Sequence, residues 1–177
     1  MLTGPKDVQV GLNIGVVQVS GTWQPNETER RAAWELYVEL LTRVSVVPLA
    51  QDQGLLREAL SSLYSLFGAT REILRTHGPE VAEPKQNGEY NFGFLAVAML
   101  NSILRPLLAH WHPELEDWEA QRPPTSSRRA HELDWDQAAQ LREALEDTRV
   151  ELSGFASILA RACGVPNLQD AVPRANS

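Results

Sequence analysis

The sequence predicts an all-α protein: an antiparallel four-helix bundle preceded by a short N-terminal β-strand or hairpin. Three observations predict it. Four stretches repeat apolar residues every three or four positions, which gathers them on one helix face. The breaks between them are short or medium and hold Pro, Gly and Asn, so successive helices turn back on each other. Only residues 8–19 alternate apolar and polar positions with the period of two of a strand. The expected organisation is a strand-like segment and loop over 1–25, one helical domain over 26–164 and a polar tail over 165–177.

Val8, Val10, Leu12, Ile14 and Val16 alternate with Gln, Gly and Asn. This is one long strand or a hairpin folding back near residues 13–15. A lone hairpin is marginal in water. Its apolar face therefore needs cover from the chain's own helices, from a second copy or from a partner's sheet. Residues 20–25 read as a loop.

Asn26 followed by Glu29 forms a capping-box signature. The first helix is expected over 27–47, with Trp34, Tyr37, Val38, Leu41 and Val44 on one face and Pro48 as its stop. The second is expected over 54–77, with Leu56, Leu60, Leu63, Phe67 and Leu74 as its stripe. His77-Gly78-Pro79 ends it, because glycine takes the left-handed conformation past a helix end and proline cannot continue. A polar loop covers 80–89.

The third helix is expected over 90–112. Residues 90–113 carry a single formal charge, Arg105. A helix without a polar face belongs inside a protein, which makes this segment the expected central post. Pro106 kinks it, and Pro113 opens a short acidic turn over 114–119. Residues 122–131 read as an exposed connection. The last helix is expected over 135–163, capped by Asp134 and closed by Gly164, with Leu141, Leu145, Leu152, Phe155 and Leu159 inward.

Composition narrows the function classes. The chain has 177 residues, 43% hydrophobic and 22% charged, with a net charge of −7. That balance argues against a broad nucleic-acid surface. Fourteen Arg against two Lys suggests a GC-rich bacterial genome. Cys163 is the single cysteine, which excludes an internal disulfide and fits a reducing, cytoplasmic setting. The N-terminus lacks the pattern of a signal peptide. The apolar run at 92–100 falls short of the roughly 20 residues a membrane span needs.

Arg105 is the one charge on an otherwise apolar face, and a buried arginine needs a carboxylate. Glu35 and Glu39, one turn apart in the first helix, are the expected partners. Arg105 and His110 are separated by four residues, Arg105 and His112 by six. This spacing resembles the catalytic signature of the HEPN ribonucleases, small helical bundles of toxin and defence systems. The resemblance rests on this short motif. It implies metal-independent RNA cleavage at a dimer interface, with Arg105 stabilising the phosphorane charge and His110 or His112 moving protons.

His110 and His112 with the acidic residues behind them lack metal-ligand spacing, so no metal and no cofactor are expected. Cys163 sits on the apolar stripe near a helix C-terminus, where a thiol stays protonated. The function expected from the sequence is a non-catalytic interaction module that binds a protein partner or a second copy. Its expected contact residues are Val8, Val10, Leu12 and Ile14 of the strand, with Trp111 and Trp118. The alternative is the HEPN-like ribonuclease.

Overall fold

Two strands and five helices follow one another along the computed structural model, which describes residues 4–14, 17–43 and 54–171. They are β1 (Val8–Ile14), β2 (Val17–Trp23), α1 (Glu27–Leu41), α2 (Leu56–His77), α3 (Phe92–Ala120), α4 (Arg128–Leu133) and α5 (Ala138–Cys163). The protein is mostly helical with an N-terminal antiparallel hairpin. Short 3₁₀ turns at Gly78–Ala82, Gln86–Gly88 and Leu168–Ala171 fill the connections.

β1 and β2 pair in register from Val8 opposite Trp23 to Ile14 opposite Val17. Alternation puts Val8, Val10, Leu12, Val19 and Trp23 on one face, and all five are buried. That face lies on the protein's own helices: β1 packs along α5, where Arg161 Nη2 donates to the Gln9 carbonyl at 3.1 Å. The strand's second arm runs to Trp23, through residues that read as loop.

α1 starts with the predicted capping box: Asn26 Oδ1 accepts from Glu29 N and Glu29 Oε2 from Asn26 N, both at 2.8 Å. Its described part ends at Leu41, and Val44 and Pro48 lie outside the described residues. α2 ends at Gly78, whose φ of 68° is the left-handed range glycine tolerates.

α3 departs most from expectation. It continues through Pro113 to Ala120, so the short acidic segment is its last turns. Over Leu100–Leu104 it widens into a π turn, in which Arg105 N–H donates to the Leu100 carbonyl. Pro106 is the cause: it brings no N–H, and its ring crowds the carbonyl four residues back. One wider turn relieves that crowding without breaking the helix. α4 occupies part of the expected open connection. α5 begins at Ala138, later than expected, because Asp134 terminates α4.

α1 packs along α5 and α2, and α2 meets the second half of α3. The core between them includes Leu36, Leu60, Leu95, Met99, Leu141 and Phe155. A buried carboxylate ties the elements together. Glu29, with no exposed surface, accepts from Trp23 Nε1 at 3.1 Å, Phe92 N at 3.0 Å and Lys85 Nζ at 2.6 Å. One side chain thus joins β2, α1, the 80–89 loop and the start of α3. Arg30 does similar work next to it, donating to the carbonyls of Pro5 and Ala162. By length and composition α3 could cross a membrane, but 56% of its most apolar window is buried within the protein, as in the core helix of a soluble protein.

Candidate functional site

α3 buries one side and leaves the other open. Leu95, Ala96, Met99 and Leu104 are buried, whereas Phe94 is 52% and Val97 45% exposed. The central-post expectation therefore holds for one face only. The open face runs Phe94, Val97, Asn101, Arg105, Ala109 and His112, at steps of three and four. α2 presents Tyr64, Gly68, Arg71 and Arg75 alongside, at the same steps.

Between them lies a groove. Its first half, about 760 Å³, is bounded by Phe94, Val97, Asn101, Leu74, Arg75 and Val81. Its second half, about 700 Å³, is bounded by Tyr64, Phe67, Gly68, Arg71, Arg105 and His112. The early residues of α3 face the late residues of α2 and the reverse, so the two helices run antiparallel. Arg105 Nε donates to Asn101 Oδ1 at 2.8 Å, so one residue from each half is bonded where the halves adjoin along α3. Tyr90 stacks on Phe94 at 5.3 Å.

The groove is basic in an acidic protein. Arg71, Arg75 and Arg105 line it, and among the described residues no carboxylate does. Arg75 makes an exposed contact with Glu72 at 3.6 Å. Arg105 stands 5.4 Å over the Phe67 ring, a cation–π arrangement. Among the described residues neither Arg71 nor Arg105 has an ion-pair partner.

The far end is built around Arg57. Its guanidinium grips the Glu119 carboxylate through Nε at 3.0 Å and Nη2 at 2.7 Å, and Nη1 donates to His112 Nδ1 at 3.0 Å. An arginine only donates, so His112 Nδ1 accepts and its proton sits on Nε2. Nε2 is buried and without a hydrogen-bond partner. Burial first, then Arg57, holds the His112 pKa below the ordinary range, with Glu116, Glu119 and a contact to the Leu60 backbone that falls short of a regular hydrogen bond opposing. The ring lies edge-on to Tyr64 at 5.7 Å.

The other predicted residues fall elsewhere. The expected ion pair of Arg105 with Glu35 or Glu39 does not form: Arg105 is exposed, Glu35 binds His77 at 2.9 Å, and Glu39 binds Arg43 on its own helix. α3 turns its Arg105 face outward, which removes the need for a buried partner. His110 is exposed, rests on Trp111 and stands outside the groove lining. Val8, Val10 and Leu12 are buried under α5, and Trp111 is 7% exposed against Trp135. Trp118 is half-buried, stacked on His131 at 4.5 Å. Val8, Val10, Leu12 and Trp111 therefore pack within the fold, Trp118 keeps part of its surface open, and the Ile14 side chain lies outside the described ones.

A smaller cavity of about 350 Å³ lies beside the start of α2, among Leu115, Trp118, Glu119, His131 and Glu132. Glu132 occupies the position of an anion there, accepting from Leu56 N at 2.9 Å, and burial raises its pKa. Cys163 is buried, donates to the Arg30 carbonyl at 3.5 Å, and has its pKa pushed up to about 11, mainly by desolvation.

The groove residues were legible only in part. Phe94 and Val97 carry no mark in the sequence, since an apolar run reads the same on a buried and an open face. Gly68 and Arg71 on an α2 surface were the available signal: a glycine inside a helix, one turn before an arginine. Comparison with known proteins adds nothing to this assignment, for no family model, no curated protein and no solved structure matches the chain.

Proposed function

We propose that the protein is a non-catalytic docking module whose α2–α3 groove receives another protein. The scaffold would be an antiparallel four-helix bundle of α1, α2, α3 and α5, with the hairpin as a cover. One observation carries the reading: an apolar face of a core helix, with Phe94 and Val97 about half exposed, opens into a shallow groove beside α2. Apolar patches rimmed by charge mark binding surfaces in soluble proteins. Exposed aromatic residues such as Tyr64, at 65%, supply the anchors that dominate such contacts.

Photo-crosslinking tests it. A benzoylphenylalanine at Val97 is expected to give a discrete protein adduct in cells of the source organism. The same probe at Val150, 56% exposed on α5, serves as control and should give none. Equal labelling from both positions, or none from Val97, overturns the reading.

A HEPN-like ribonuclease is the second reading, favoured because Arg105 and His112 line one half-groove. Against it, the His112 nitrogen that holds the proton is sealed away, and His110 stands outside the groove lining. RNA incubated with the purified protein is expected to stay intact. Cleavage that Arg105→Ala abolishes would replace the docking reading.

A further inference from the structure

We infer that the occupant of the groove is an acidic amphipathic helix of a partner protein, an assignment that rests on the docking reading. Shape selects a helix. The walls are two antiparallel helices whose backbone groups are bonded within themselves, so a strand has no edge to join. The ridge of a third helix fits the channel between two others. From Phe94 to His112 the channel is about 27 Å long at 1.5 Å per residue, the length of a helix of about 18 residues.

Charge selects an acidic one. Arg71 and Arg75 sit one turn apart on the α2 wall and Arg105 stands on the α3 wall beside the same hollow as Arg71, in a protein of net charge −7. Complementary charge steers partners and suppresses wrong ones. A basic helix would meet three arginines with no lining carboxylate to hold it.

Gly68 marks the point of closest approach. It lies within α2, where glycine is a poorer helix former than alanine. A Cβ built there would meet nothing within 4 Å, so packing inside the protein gives no reason for its absence. What the missing side chain leaves is an open wall beside Arg71 and opposite Arg105, where a partner's backbone can come close.

The test is a display library of amphipathic helical peptides, about 18 residues long to match the channel, with polar positions randomised, selected on the whole protein. Selected peptides are expected to be acidic. The pair Arg71→Glu with Arg105→Glu should weaken them about tenfold or more, the scale of a close charge pair, and added salt should weaken them too. Gly68→Trp should abolish binding while the thermal melt of the protein stays in place. Neutral or basic peptides that Gly68→Trp blocks would overturn the acidic assignment and leave docking standing. Acidic peptides indifferent to Gly68→Trp would overturn the groove itself, and so would an empty selection. A dimer of purified protein that Gly68→Trp dissolves would hand the groove to a second copy. Sedimentation with anionic vesicles, lost in the same variant, would hand it to a membrane; either overturns the partner helix.

Discussion

Glu29 illustrates how one residue holds several elements. Its carboxylate meets an indole N–H, two backbone N–H groups and Lys85, all in a place closed to water. Removing one partner of a buried pair leaves the other charge without compensation. Glu29→Ala is expected to lower unfolding free energy by about 3–5 kcal/mol in urea titration. Glu29→Gln keeps most of the acceptors and should cost less. His112 gives a second prediction at this scale. Its folded pKa is lowered from 6.5, so the unfolded chain takes up the proton first as pH falls. Its contribution to stability is full above that value and is lost as pH drops from 6.5 toward the folded pKa. Glu132, with a raised folded pKa, has the opposite sign: its contribution is present at low pH and fades as pH rises through the folded value. Comparing variants separates the two. Between about pH 7 and pH 5 the urea midpoint of the parent should fall relative to that of His112→Gln, which keeps the Glu132 contribution and lacks that of His112.

At the scale of elements, the helices were legible because their stops are local. Asn26 with Glu29 and Gly78 act within a turn or two of themselves. The continuity of α3 through Pro106 and Pro113 was not legible in full. A proline sets a local conflict, and whether the helix breaks or widens depends on what its two halves pack against. Here Leu104 and Leu107 are both buried, so a π turn that preserves both contacts wins over a break. α2 offers the test of its open wall. Gly68→Ala is expected to raise unfolding free energy by about 0.5–1 kcal/mol, read from the same urea titration, because the new methyl group has free space. An unchanged or lower stability would mean that the glycine serves the fold.

For the whole molecule, the sequence alone determined the all-helical class, the N-terminal strand, the place of most helix ends and the placing of Cys163 in the core. Those properties follow from spacing and capping, which act over a few residues. It also pointed to Arg105 as the position worth watching. What only the tertiary structure decided is which way each apolar face turns. Of the residues set down as a contact surface, Val8, Val10 and Leu12 are covered by α5, Trp111 packs on Trp135, and Trp118 stacks half-buried on His131. The segment set down as a central post keeps Phe94, Val97 and Arg105 open to the groove. Periodicity states that residues share a face and leaves open what that face meets. In this protein α1 and α5 pack together on one side, α2 covers only part of α3, and the uncovered part is the groove.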